Sequence, residues 1–336
     1  MIPSLDVARS SASADLPLAV GPAIRIAFLM RPLASLFSGR SMSLVVTLIA
    51  SPKHRTLGHD LALKAASAIG ATDIAWLADD VACDLFPQVG ETPAGLAQRL
   101  QQAIAGAPVD VVIQQSATRR KKILVADMDS TMIDQECIDE LADEVGLKER
   151  VAAITARSMN GEIAFEPALR ERVALLADLD TAVVGRIIAN RITLASGGRE
   201  LVATMKAAGA YTALVSGGFD VFTRPIAAKL GFDENRANRL LAEGGRLTGA
   251  VAEPILGRAA KAEALHRISA SLGLTPADVI AVGDGANDLD MIRLAGSGVA
   301  LHAKPAVAAE AGIRIDHGDL TALLYLQGYR RRDFSA

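Results

Sequence analysis

Between residues 44 and 114 the apolar positions change their spacing four times. Continuous or alternating apolar runs cover 44–50, 74–78, 82–86 and 109–114, and stretches with apolar positions three and four residues apart cover 57–69 and 93–104. The order predicts strand, helix, strand, strand, helix, strand: a small ferredoxin-like α+β domain over 42–118. From Ile123 the pattern is different. Ile123-Leu124-Val125-Ala126 is a short apolar run closed by Asp127, and similar runs follow at 211–215, 279–282 and 298–301, with helical segments between them. Runs of this kind belong to strands buried on both faces, so 119–133 and 197–330 are expected to form a doubly wound α/β core with a parallel sheet. The stretch 134–196, helical in period over 138–145, 148–156 and 164–176, is too long for one crossover helix and predicts a helical cap inserted over the strand tips. Residues 238–251 alternate around Gly244-Gly245, as a β-hairpin does.

Composition narrows the classes. A chain of 336 residues that is 51% hydrophobic can bury several cores and is too apolar to be disordered. Thirty-five Lys and Arg against 38 Asp and Glu leave a formal charge of -3, so no general field draws the chain to nucleic acid or to an anionic membrane. The run Arg119-Arg120-Lys121-Lys122 reads as an exposed, solvated linker at the domain boundary. Residues 1–41, rich in Ser, Ala and Pro, read as a flexible extension; Arg9, Arg25, Arg31 and Arg40 also suit a transit peptide, and Met42 suits a later start. The apolar stretch 16–37 is interrupted by Arg25 and Arg31 and is no membrane span, so the expectation is a cytoplasmic protein. Cys83 and Cys137 have no partner at ligand spacing and are expected to pack as small apolar residues, and the five histidines show no repeated ligand spacing.

Chemistry is expected at the strand tips. Ligands of open α/β sheets lie beyond the carboxyl ends of the strands. The first three core runs end in Asp127, in Ser216-Gly217-Gly218 and in Gly283-Asp284, which are therefore expected to converge. In Asp127-Met128-Asp129 two carboxylates stand one residue apart, an arrangement that persists when a cation neutralises it or a proton is shared. Oxygen ligands of this type suit Mg²⁺. Gly283-Asp284-Gly285-Ala286-Asn287-Asp288 supplies a second acidic turn, whose glycines let the backbone bend sharply.

Taken in this order, with Ser216 between them and Lys261 before the last, these motifs resemble the haloacid dehalogenase superfamily of phosphotransferases over residues 122 to about 325. The strings around Asp127 to Thr131, Glu136, Phe165, 170–173, 216–220, 237–240 and 283–288 are similar to its phosphoserine phosphatases; Met128 stands where relatives often carry Phe. The resemblance implies Asp127 as nucleophile, Asp129 as general acid and base, and Mg²⁺ held by Asp127, the Asp129 carbonyl and Asp284 with support from Asp288. It implies Ser216, Gly217, Lys261 and Asn287 around the phosphoryl group of O-phospho-L-serine. Glu136 would meet the substrate ammonium, Arg172 its carboxylate, and Phe165 and Met159 would line the wall. The element order of 42–118 resembles ACT domains, which implies a site for free serine or a homodimer contact. The alternatives are a phosphatase or phosphotransferase for a related ester, such as phosphohomoserine or phosphothreonine, and a non-catalytic amino-acid sensor.

Overall fold

A computed structural model of the chain describes residues 27–28 and 43–336. The expected extension over 1–41 lies outside the described residues, apart from a two-residue strand β1 (Ala27–Phe28). The N-terminal unit runs β2 (Leu44–Ala50), α1 (His59–Ala68), β3 (Ile74–Ala78), β4 (Ala82–Leu85), α2 (Pro93–Ala103) and β5 (Val109–Gln115). Its sheet order is β1-β5-β2-β4-β3, antiparallel except for the β1–β5 pair. Helix α2 starts where Thr92 accepts a hydrogen bond from the Gly95 amide at 3.2 Å, with Pro93 at its first position. Both helices cover one face, where Val46, Leu48, Leu96 and Leu100 are buried together. The other face carries Ile49, Leu77, Val81 and Val112, which are buried in the same cluster as Leu323 and Tyr325 of the C-terminal helix described below.

The linker is not the solvated run that its charge suggests. Lys121 is buried and its ammonium donates to the Ala277 carbonyl at 2.9 Å, while the Arg119 guanidinium pairs at 2.8 Å with the buried Asp84. Arg120 lies over the Tyr329 ring, 3.8 Å from its centroid, and only Lys122 and Arg120 stay exposed. Long basic side chains can bury their stems when each head group finds its own acceptor, which a count of like charges does not register.

The larger unit begins with β6 (Ile123–Ala126) and continues through α3 (Cys137–Asp143), α4 (Lys148–Met159), α5 (Phe165–Ala174) and α6 (Val183–Asn190). Then come α7 (Gly198–Ala207), β7 (Tyr211–Phe219), α8 (Asp220–Leu230), β8 (Glu234–Asn238), β9 (Leu240–Glu243) and β10 (Arg246–Val251). The chain ends with α9 (Arg258–Ser271), β11 (Val279–Gly283), α10 (Leu289–Leu294), β12 (Ser297–Leu301), α11 (Pro305–Ala308), β13 (Ile313–Ile315) and α12 (Ala322–Leu326). Six strands form a parallel sheet in the order β13-β12-β11-β6-β7-β8. The direction of winding reverses at β6, between β7 and β11, so the crevice at their carboxyl ends is where a ligand of this sheet belongs. Helices α3 to α6 stand over that crevice. The β9–β10 hairpin braces them: the Asp178 amide donates to the Leu247 carbonyl and the Leu247 amide to the Leu179 carbonyl, at 2.8 and 2.9 Å. Among the described residues no helix is long and apolar enough to cross a membrane.

Candidate active site

Asp127 follows the last residue of β6 and is buried. Its Oδ1 lies 2.7 Å from the ammonium of Lys261, which α9 brings in from the opposite side and which also donates to Asp288 Oδ1 at 2.6 Å. Lys261 has no exposed surface, so it is no ordinary surface lysine. Burial alone would discharge it, but the Asp127 and Asp288 carboxylates overcome that and hold its pKa above the usual lysine range. Asp284 stands at the tip of β11, and oxygens of Asp127, Asp284 and Asp288 fall within 4.8 Å of one another. Asp288 also accepts from the Gly285 amide at 3.2 Å, closing the turn that presents Asn287.

Asp129 has a different surrounding. Its Oδ1 accepts from the Cys137 amide at 2.8 Å, at the start of α3, and its Oδ2 from the Ser216 hydroxyl at 3.2 Å. Burial raises its pKa and these donors hold part of that rise back. Burial, then the Asp288 carboxylate, push Asp127 well above the usual carboxylate range against the pull of Lys261, and burial followed by Asp288 bring Asp284 to about 7. Glu136 is likewise pushed well up, by burial and then by Asp129, while it accepts from the Ser130 hydroxyl at 2.6 Å.

The donor set fits a divalent cation. Among the described residues, Asp127, Asp129, Asp284 and Asp288 face two ammonium groups, Lys261 and the half-exposed Lys304, which is 3.9 Å from Asp284 Oδ2. Asp284 Oδ2 is buried without a hydrogen-bond partner, and such an orphaned hard oxygen is what Mg²⁺ coordinates.

Between these acids and the cap lies a small cavity of about 30 Å³, lined by Asp127, Asp129, Ser216, Gly217 and Asn287 below and by Glu136, Met159, Phe165 and Arg172 above. All twelve residues singled out in the sequence are in or directly beneath it. Asn287 Oδ1 is buried there without a partner. The cap meets the core at glycines: a Cβ on Gly217 would lie 2.8 Å from Phe165 Cζ, and one on Gly285 2.6 Å from Met159 Sδ. Two functional residues had no role assigned from sequence. Asn238, at the end of β8, donates to the Gly217 carbonyl at 2.8 Å and accepts from the Leu256 amide at 2.7 Å, which fixes the serine-glycine turn. Lys304, at the helix that follows β12, balances Asp284; in the sequence it is a lone lysine with no motif around it.

A family model of haloacid dehalogenase-like hydrolases matches residues 124–293. A phosphoserine phosphatase of Streptomyces coelicolor is 41% identical over 244 residues, 73% of this chain, and the chain spans 59% of that relative's length. One from Methanocaldococcus jannaschii is 43% identical over 206 residues, 61% of this chain and 97% of the relative. A solved structure described as a phospho-aspartyl intermediate analogue of phosphoserine phosphatase superposes with a TM-score of 0.59 at 43% identity, over 61% of this chain and 98% of that one.

Proposed function

The chain belongs to the haloacid dehalogenase-like hydrolases and, within them, to the phosphoserine phosphatases, and from that premise we propose that it hydrolyses O-phospho-L-serine to L-serine and phosphate at the Asp127 site. The single observation that carries the residue roles is the pairing of two carboxylates in unlike surroundings on one tight turn: Asp127 against Lys261 and the acid cluster, Asp129 against Ser216 and the Cys137 amide.

Asp127 attacks phosphorus in line with the ester oxygen, so that a bond from its carboxylate to phosphorus forms as the bond to the serine oxygen breaks. Asp129, oriented by the Ser216 hydroxyl and the Cys137 amide, delivers a proton to the departing serine oxygen. In the second half Asp129 takes a proton from water, whose oxygen displaces the Asp127 carboxylate from phosphorus and releases phosphate. Lys261, Ser216, the Gly217 amide and Asn287 surround the phosphoryl oxygens and oppose their charge. Mg²⁺, held by Asp127, the Asp129 carbonyl and Asp284, would supply the further positive charge that a dianion and an anionic nucleophile need in order to meet. In the cap, Glu136 meets the substrate ammonium and Arg172 its carboxylate, while Met159 and Phe165 exclude water.

This reaction completes serine biosynthesis, and a cytoplasmic location goes with it. Free serine binding at 42–118 and a homodimer belong to the same proposal, supported by the β-α-β-β-α-β order. The test is phosphate release from L-phosphoserine with Mg²⁺, beside EDTA and the Asp127→Asn variant. The reading predicts that both controls abolish release; release that survives Asp127→Asn overturns it.

A further inference from the structure

We infer that Thr155 and Asp139 are positioning residues for Arg172, forming a relay across three cap helices that sets the guanidinium edge which reads the substrate carboxylate. The inference rests on the proposed role of Arg172 and adds to it the residues through which that role works.

Arg172 lies on α5 and is 5% exposed, Thr155 on α4 is 4% exposed, and Asp139 sits on α3. The Arg172 Nη1 donates to Thr155 Oγ1 at 3.0 Å, and Thr155 Oγ1 lies 2.9 Å from Asp139 Oδ1, to which it donates. The Val151 carbonyl, one turn back on α4 at 3.1 Å, is the competing acceptor for the same hydroxyl proton. A hydroxyl has one proton, and the charged carboxylate is the stronger acceptor, so the proton points to Asp139 and the oxygen lone pairs to Arg172. A hydroxyl polarised in this way accepts more strongly than an isolated one.

The rest of the guanidinium is also constrained. Nε donates to the Ala168 carbonyl of its own helix at 3.0 Å. A guanidinium offers five N–H groups in a rigid fork, and with Nε engaged the side edge cannot serve a ligand. With one Nη1 hydrogen given to Thr155, the second Nη1 hydrogen and the two on Nη2 remain for the cavity that Arg172 lines beside Glu136. Paired N–H groups on Nη1 and Nη2 can meet a carboxylate bidentately. Burial pulls the Arg172 pKa down, and the Glu136 and Asp139 carboxylates oppose that pull, so Asp139 also supplies part of the charge that keeps this cation comfortable indoors. Without the relay the long side chain keeps its charge and loses its aim.

The experiment compares kcat and KM of the full chain on L-phosphoserine and on O-phosphoethanolamine, which lacks the carboxylate, for Thr155→Val, Thr155→Ser, Asp139→Asn and Arg172→Ala. The expected result is a KM for phosphoserine raised about tenfold in Thr155→Val and Asp139→Asn, the size of one charge-assisted hydrogen bond, with kcat retained. Thr155→Ser should restore the wild-type KM, and kcat/KM on phosphoethanolamine should stay unchanged in these variants. A Thr155→Val protein that loses equally on both substrates, or on neither, while Arg172→Ala loses on phosphoserine alone, overturns the relay. If Arg172→Ala itself shows no preference between the substrates, the reading of Arg172 falls first, and the relay with it.

Discussion

At Asp284, burial and the neighbouring Asp288 carboxylate bring the pKa to about 7, above the ordinary aspartate range. The metal-free fold therefore favours the neutral form below about pH 7. The stability linked to it is complete below the ordinary carboxylate range and is lost as pH rises through about 7. Mg²⁺ binds the ionised form and offsets that loss, so its stabilising effect has to grow over the same interval. We expect saturating Mg²⁺ to raise Tm clearly at pH 8 and little at pH 5.5; equal shifts at both would contradict the acid cluster as the binding site. Lys304 contributes from the other side, 3.9 Å from Asp284 Oδ2. Replacing it by Met removes a competing positive charge, and Mg²⁺ should then be needed at lower concentration for half-maximal stabilisation.

The elements explain how a cap and a core come to share one cavity. Phe165 opens α5 and Met159 closes α4, and each packs where a core glycine leaves room, at Gly217 and Gly285. Gly217→Ala puts a methyl group 2.8 Å from Phe165 Cζ and forces the cap away from the phosphoryl site. A misplacement of this kind should lower kcat/KM by roughly a hundredfold, while the melting temperature stays close to wild type because the surrounding sheet is untouched. Helices α3 to α5, the β9–β10 hairpin and the four buried strands were legible in the sequence because each carries a periodic or continuous apolar signal; α6 lies in a part of the cap where no helix was expected. Two strands of the parallel sheet were not. β8 reads Glu-Asn-Arg-Ala-Asn, as an edge strand open to water can, and β13 has three residues, too few for any period to show. β7 runs on to Phe219, four residues past the apolar run, because Ser216, Gly217 and Gly218 continue the strand through an irregular register into the site. The acids of the site were legible because they follow buried strands. Asn238 and Lys304 act through contacts made far away in sequence: the string 237–240 marks Asn238 without giving it a role, and no local pattern marks Lys304.

Across the whole molecule, the N-terminal sheet and the C-terminal end of the larger unit share a buried surface and a polar clasp. Asp110 of β5, 5% exposed, accepts from the backbone amides of Asp316 and Gly318 at 2.8 Å and of His317 at 3.1 Å, and Gln114 donates to the Leu326 carbonyl at 2.7 Å. Asp110→Ala leaves three amides without their acceptor and should cost about 3 kcal/mol or more. If the two units unfold as one, this substitution lowers a single transition monitored by Trp76 fluorescence and by phosphatase activity alike; two separated transitions in the wild-type chain would show that the clasp does not join them. No residue of the N-terminal unit lines the cavity, so that unit braces the sheet whose other strands carry Asp127 and Asp284 without entering the site. The central claim is that phosphate passes through Asp127. Its most direct test is acid quenching of the enzyme during turnover of L-phosphoserine labelled in the phosphoryl group, followed by peptide mapping. The account predicts a hydroxylamine-labile label on the peptide that contains Asp127, absent from Asp127→Asn; a label on any other residue, or turnover with none at all, would contradict it.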